Sequence, residues 1–129
     1  MGVRRLEDLV AYTLSVELRR AVYKLVREHA RADRDYRYRS QLFDSVSSAA
    51  ANVAEGFGRR AVPEFCQFLS YARGSVNEAM NWVQDGVDRD YFSAEAASDA
   101  MTLGRRTAAA IAGLQRSLKP FLRPTPRGK

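Results

Sequence analysis

The chain has 129 residues, of which 46% are hydrophobic and 28% charged, and this composition fits one globular domain whose core needs no disulfide or structural metal. Lys and Arg outnumber Asp and Glu by 21 to 15, giving a formal net charge of +6, which favours polyanionic partners such as RNA, DNA or an acidic protein surface. No apolar run is long enough to cross a bilayer and the one cysteine has no partner in the chain, so we expect a cytoplasmic protein without a membrane anchor.

The first half of the chain carries apolar residues at spacings of three and four, which predict helices rather than strands. A stripe that starts at Leu6 and ends at Val26 predicts a first helix over roughly residues 5–31. The same periodicity predicts a second helix over residues 38–57, where nearby glycines suit a helix end.

The second half continues the helical pattern. A third helix is predicted over residues 62–86 with Pro63 in its first turn, and a fourth over 93–119 with Ser93 as its N-cap. Short connections force neighbouring helices to be antiparallel, so residues 1–119 are predicted to form an all-α, antiparallel up-down-up-down four-helix bundle. Residues 120–129 read as a flexible basic tail.

Several apolar residues lie outside the main stripes of these helices. They are either scattered surface residues or a second apolar face buried between subunits, and we favour the latter. The residues concerned are Tyr12, Val16, Phe43, Ala50, Tyr71 and Trp82.

A run of basic residues forms one stripe if the first helix continues far enough, because its members advance by four, three, four and three residues. The stripe consists of Arg20, Lys24, Arg27, Arg31 and Arg34, and Arg37 prolongs it into the following loop. Like charges at this spacing do not stabilise a helix, so the stripe is a candidate site for the phosphate backbone of RNA or DNA. Two alternatives remain open: a solvated face, or arginines that pair with the acids of a neighbouring subunit.

Polar residues form a second pattern on the middle helices. One polar stripe of the second predicted segment consists of Gln41, Ser48, Asn52, Glu55 and Arg59, and Arg73 and Glu78 lie on the third helix. Either carboxylate could act as a general acid or base, but no nucleophile, metal cluster or phosphate loop accompanies them, so we interpret the set as a structural polar motif with Arg73 as the partner of the acids.

Metal and cofactor chemistry has few candidate ligands in this chain. A di-iron bundle needs Glu-x-x-His pairs, whereas His29 is the only histidine and reads as a solvated cation at a helix end. We therefore predict no enzyme activity, no catalytic residues, no metal and no cofactor.

Two runs go beyond generic helix composition: Ser48-Ala49-Ala50-Ala51-Asn52-Val53-Ala54-Glu55-Gly56-Phe57-Gly58-Arg59, and Phe68-Leu69-Ser70-Tyr71-Ala72-Arg73-Gly74-Ser75. With Leu6-Glu7-Asp8-Leu9 near the start, they resemble the bacterial four-helix-bundle proteins encoded inside intervening sequences of 23S ribosomal RNA genes, once labelled S23 ribosomal proteins. The resemblance covers about residues 6 to 119. It implies a ring-shaped homopentamer and kinship with the accessory proteins of diversity-generating retroelements, which are similar basic bundles that bind nucleic acid and a reverse transcriptase.

The sequence thus predicts a non-enzymatic, oligomeric bundle that binds nucleic acid, or a nucleoprotein partner such as a reverse transcriptase, through basic surfaces. The alternative is a protein-interaction scaffold without a nucleic acid ligand. No helix-turn-helix, zinc finger or RNA-recognition signature is visible, so any nucleic acid binding is expected to be independent of sequence.

Overall fold

Five α-helices follow one another along residues 5–122, the part of the chain that the computed structural model describes. They are α1 (Val10–Arg27), α2 (Ala30–Arg34), α3 (Tyr36–Phe57), α4 (Val62–Asp88) and α5 (Ala94–Leu118). Short 3-10 helices precede α1 (Leu6–Asp8) and follow α5 (Lys119–Leu122). Within these residues there is no strand, which confirms the predicted all-α fold.

The four long helices form a bundle with an antiparallel register. The hydroxyls of Ser48 on α3 and Ser75 on α4 are 3.0 Å apart, and a β-carbon added at Gly104 of α5 would come within 2.5 Å of Met80 on α4. Helices α1 and α4 each pack against both α3 and α5, so α1 and α4 occupy diagonal corners and run in the same direction.

The core is built from the predicted apolar stripes. Its fully buried side chains include Leu18, Val22, Leu42, Val46, Val53, Leu69, Val76 and Ile111. Each contributes about 1.5–3 kcal/mol of burial free energy. One buried hydroxyl, that of Thr107, donates to the Leu103 carbonyl at 2.7 Å, so its burial leaves no unpaired polar group.

The first predicted helix, 5–31, is wrong as a single element, because α1 ends at Arg27 and α2 begins only at Ala30. His29 lies between them with extended backbone angles, and its amide N–H bonds to the Val26 carbonyl instead of the Leu25 carbonyl. The imidazole Nδ1 lies 2.7 Å from the Leu25 oxygen and must carry the proton, since a carbonyl only accepts. The side chain therefore replaces a backbone hydrogen bond where the helix stops.

The other helix ends lie close to their predicted places. Helix α3 begins two residues earlier than expected because the Asp35 carboxylate caps it, accepting from the Tyr38 N–H at 3.1 Å. Ser93 caps α5 as predicted, whereas Ala61 precedes α4 without any side-chain cap. The predicted tail begins too early, because residues 120–122 belong to the 3-10 helix after α5. Residues 123–129 lie outside the described part.

The proposed second apolar face does not exist as one surface. Ala50 is buried in the core, and Phe43 packs its ring against Tyr23 at a centroid distance of 4.5 Å. Trp82 lies edge-on to Tyr38 between α3 and α4. Among the six residues only Tyr71 is largely exposed, at 50%. Most of this apolar surface is thus used inside the bundle.

Candidate nucleic-acid interface

The predicted basic stripe is divided in two by the break between α1 and α2. Arg20, Lys24 and Arg27 stay together on the exposed surface of α1, where the Arg27 guanidinium lies 5.4 Å from the centre of the Tyr23 ring. Lys24 makes a long contact of 3.9 Å with Glu28, and both side chains are well exposed. Such an exposed pair contributes little, so this surface of α1 keeps its positive charge.

Arg31 does not continue the stripe. Its guanidinium carbon lies 5.4 Å from the centre of the Tyr91 ring, and Nη1 donates to the Asp90 carbonyl at 3.3 Å. Arg31 therefore ties α2 to the turn between α4 and α5. The prediction of a single basic face is therefore wrong. The physical reason is that the chain changes direction at His29, which moves Arg31 off the face formed by the basic residues of α1.

Three exposed residues within four positions form what we call the α2–α3 basic cluster: Arg34, Tyr36 and Arg37. All three are exposed, and Tyr36 is 72% exposed, more than any other large hydrophobic residue of the described part. Within residues 5–122 neither Arg34 nor Arg37 has a carboxylate at salt-bridge distance. In sequence, two cations thus flank an exposed aromatic ring, and the Arg39 guanidinium carbon lies 5.7 Å from the centre of that ring.

The acids beside this cluster are paired with other side chains. Asp33 accepts from Arg39 at 3.3 Å, and Asp35 accepts from Arg89 at 3.4 Å. The Asp35 carboxylate also accepts a short hydrogen bond from the Tyr91 hydroxyl, which is the main reason why its pKa lies below the ordinary value, followed by the cap on α3. The charge of Arg37 also contributes to the lowered pKa of Asp35, but no carboxylate of the described residues lies at salt-bridge distance from Arg34 or Arg37.

The polar motif is brought together only in part. Asn52 Nδ2 donates to the Ser48 hydroxyl at 3.0 Å, and the Ser75 hydroxyl of α4 completes this cluster. Glu55 pairs with Arg59 at 3.0 Å, and Arg59 also reaches Glu64 at 3.5 Å. The motif therefore joins α3 to α4 and fixes the turn between them.

The expected role of Arg73 needs correction. Arg73, Glu78 and Gln41 are exposed, and none of them forms a salt bridge or side-chain hydrogen bond within the described range. Arg59 rather than Arg73 is the partner of Glu55, because Arg59 lies one turn further along the same helix face. Arg73 and Glu78 point outward from α4 instead.

An open groove of about 530 Å³ between α1 and α5 is lined by Lys24, His29, Asp99 and Arg106, among other residues. The basic Arg106 adds to the charge of α1 from the neighbouring helix. Across residues 5–122, His, Cys, Asp and Glu side chains nowhere gather in the groups of three that could hold a metal ion. Burial raises the pKa of the Cys66 thiol, which disfavours the reactive thiolate.

Fold and surface together define a class: an antiparallel helical bundle with charged exteriors. The family model of the 23S rRNA-intervening sequence proteins matches residues 7–113, and the chain belongs to this family. This confirms the resemblance drawn from the two motifs, while the kinship with retroelement accessory proteins stays a prediction. No helix of the described residues is long and apolar enough to span a membrane.

The fold also has a counterpart among solved structures. A protein of unknown function from the S23 ribosomal protein family of Bacteroides thetaiotaomicron aligns with a TM-score of 0.76 and 17% sequence identity, over 83% of this chain and 99% of that one. At this identity the likeness shows the fold alone. No curated protein matches the chain significantly.

Apolar periodicity does not single out Tyr36, because the predicted boundary between the first two helices places this residue in a charged loop. The pattern Arg34-Asp35-Tyr36-Arg37 could have been noticed as an aromatic residue between basic ones. Its exposure, however, depends on the unexpected start of α3 at this residue.

Proposed function

We propose that this protein is a non-enzymatic, homo-oligomeric bundle that binds single-stranded RNA or DNA through the α2–α3 basic cluster. The observation that carries the proposal is the exposed ring of Tyr36 between two arginines without acidic partners in the described part of the chain. Proteins that bind single strands without sequence preference combine such cations with aromatic rings on which bases stack.

Charge supports the proposal first. Arg34 and Arg37 can each contact a phosphate, and the acids nearest to them are held by Arg39 and Arg89. Binding to phosphates releases counterions, so it is expected to weaken steeply as salt increases. A sequence without any base-reading motif fits contact with the backbone rather than with base edges.

The ring of Tyr36 supports binding to single-stranded rather than duplex nucleic acid. The exposed ring of Tyr36 lies 5.7 Å from the Arg39 guanidinium carbon, and base stacking on such a ring stabilises binding by about 1–3 kcal/mol. Stacking requires an unpaired base, whereas bases of a duplex already stack on one another. The cluster is therefore expected to prefer single-stranded over duplex nucleic acid.

The proposal includes the homopentameric ring that the motif resemblance implies. A single cluster with two phosphate contacts binds weakly, but repeated clusters on one assembly engage one strand at high effective concentration. The proposal also includes the absence of enzymatic activity. Of the two carboxylates of the polar motif, Glu55 pairs with Arg59, and Glu78 lies exposed on α4.

The test is retention on immobilised single-stranded RNA and DNA at low salt. Arg34→Glu/Arg37→Glu is expected to abolish retention, because two phosphate contacts become repulsive. The matched control is Arg105→Glu/Arg116→Glu, which changes the net charge equally at two exposed arginines of α5. It is expected to retain most of the binding.

Tyr36 variants separate stacking from charge. Tyr36→Ala is expected to weaken binding about tenfold, whereas Tyr36→Trp keeps a stacking surface and is expected to bind at least as well as the natural protein. Equal binding by all three proteins contradicts the stacking role. Failure of the natural protein to bind either nucleic acid overturns the proposal and favours the protein-interaction scaffold.

A further inference from the structure

A second arginine–tyrosine pair lies beside the α2–α3 basic cluster, where α2 meets the turn between α4 and α5. The guanidinium carbon of Arg31 lies 5.4 Å from the centre of the Tyr91 ring. Arg31 is exposed, whereas Tyr91 is half-buried. The pair therefore presents the guanidinium of Arg31 to solvent and holds an aromatic ring against it.

The two arginine–tyrosine pairs are built in opposite order. At the α2–α3 basic cluster the Tyr36 ring is the exposed member, and the guanidinium carbon of the half-buried Arg39 lies 5.7 Å from its centre. At the turn the arginine is the exposed member. Aromatic rings and guanidinium planes are both surfaces on which unpaired bases stack. Each pair thus offers one such surface to solvent.

Asp35 links the two pairs. This residue directly precedes Tyr36 in the chain, and its carboxylate accepts the short hydrogen bond from the Tyr91 hydroxyl. Arg31 and Arg34 are three residues apart in α2, so their side chains lie one turn apart on the same side of this helix. The Arg31 side chain is therefore adjacent to the cluster and is connected to it through Tyr91 and Asp35.

Arg31 differs from Arg89, whose guanidinium carbon lies 5.9 Å from the centre of the same ring. The Arg89 guanidinium pairs with Asp85 at 2.6 Å, whereas within residues 5–122 Arg31 has no carboxylate at salt-bridge distance. Nη1 of Arg31 donates to the Asp90 carbonyl at 3.3 Å. This bond and the Tyr91 ring hold the guanidinium in one orientation, which reduces the entropy that a ligand must overcome on binding.

We propose that the exposed guanidinium of Arg31, held against Tyr91, is a second base-stacking subsite for the single strand that binds the α2–α3 basic cluster. One base stacks on Tyr36 and another on the guanidinium plane, while Arg34 and Arg37 contact phosphates of the same strand. This inference rests on the proposed function and adds that one site holds two bases. Arg31 acts in it through its planar face as well as its charge.

Other roles for Arg31 lead to different results with two kinds of strand. If Arg31 only ties α2 to the turn, its replacement loosens the site for every ligand. If Arg31 supplies only charge, lysine replaces it fully. A stacking role instead makes the effect of the replacement depend on the bases. The informative ligands are therefore a thymidylate strand and an abasic strand, which has the same phosphates but no bases.

The test measures binding of the full chain to strands of about eight nucleotides at low salt, with uridylate replacing thymidylate where only RNA is retained. Arg31→Lys keeps the charge but has no planar surface, so it is expected to weaken thymidylate binding about fivefold and to leave abasic binding unchanged. Combined with Tyr36→Ala, it is expected to make the two strands bind equally. The matched control Arg116→Lys, at an exposed arginine near the end of α5, keeps the natural affinity for both strands.

Equal weakening of both strands by Arg31→Lys, or natural affinity of this variant for thymidylate, overturns the second subsite. Either result leaves the proposed function in place, because the natural protein still binds and Arg34→Glu/Arg37→Glu still abolishes retention. Equal affinity of the natural protein for the two strands overturns stacking at both subsites. Failure of the natural protein to bind either RNA or DNA overturns the proposed function and this inference together.

Discussion

At the scale of single residues, Asp90 has the one positive φ among the described non-glycine residues, at 61°. It follows the C-cap of α4, and the surrounding N–H groups complete a Schellman turn: Tyr91 donates to the Gly86 carbonyl and Asp90 to the Val87 carbonyl. A residue that has a β-carbon is strained in the left-handed conformation. This strain costs free energy that glycine does not lose.

Asp90→Gly is therefore expected to stabilise the protein by about 0.5–1 kcal/mol in urea unfolding. The contact of Arg31 is made by the backbone carbonyl of residue 90 and survives the substitution. Asp88→Gly, inside the last turn of α4, is the control and is expected to lower the unfolding free energy. Destabilisation by Asp90→Gly contradicts the role given to this turn.

The glycines illustrate how far single residues can be predicted from the sequence. Close packing explains Gly104 inside α5, since an added β-carbon there would meet Met80. Gly86 is constrained more tightly, because a β-carbon there would collide with the Tyr38 hydroxyl and the Phe92 ring. Gly74 meets nothing, and a pattern of spacing cannot distinguish these environments.

At the scale of the helices, the ends are fixed by side-chain caps of different chemistry. Asp35 caps α3 with a carboxylate, and Ser93 caps α5 with a hydroxyl that accepts from the Ala96 N–H at 3.0 Å. Only the first of these groups titrates. The contribution of the Asp35 cap should depend on pH, whereas that of Ser93 should not.

Asp35→Ala and Ser93→Ala are each expected to lower the unfolding free energy by about 1 kcal/mol at neutral pH. The pKa of Asp35 is lowered in the folded protein, so its stabilisation is present above the ordinary aspartate pKa and is lost as pH falls through the folded value. The difference between Asp35→Ala and the natural protein should shrink on acidification. A constant difference, like that of Ser93→Ala, contradicts this account.

The helices themselves were predictable because their apolar spacing is strong, and the break after Arg27 was not. No glycine or proline marks residues 28 and 29. The break depends on tertiary contacts: the His29 ring packs edge-on against Phe92 from the turn before α5, and Ala32 of α2 is fully buried. Sequence periodicity carries no information about such distant partners.

At the scale of the whole molecule, the bundle depends on an apolar interior shared by four helices. Val53 is fully buried, and Val53→Asp is expected to unfold the domain because an unpaired charge in the core costs more than about 4 kcal/mol. Circular dichroism melting measures this directly. Ala51→Asp, on the exposed side of the same helix, is expected to remain folded. A folded Val53→Asp protein with an unchanged melting temperature contradicts the packing.

The bundle architecture could be predicted from the sequence, whereas the residues of the candidate site could be predicted only in part. Short connections and four amphipathic segments leave few arrangements other than an antiparallel bundle. The prediction of a continuous basic stripe is wrong because it assumed that one unbroken helix carries all of its residues. What replaces it is a cluster at the start of α3, where the exposure of Tyr36 and the pairing of Asp33 and Asp35 depend on the folded chain.

The most direct measurement of the central claim is the salt dependence of binding to a homopolymeric single-stranded RNA. The account predicts that the logarithm of the binding constant falls linearly with the logarithm of the salt concentration. Arg34→Ala/Arg37→Ala should reduce the slope by about 1.4 per cluster, as expected for two lost phosphate contacts on a single strand. An unchanged slope in this variant, or binding by the natural protein that does not respond to salt, would contradict the account.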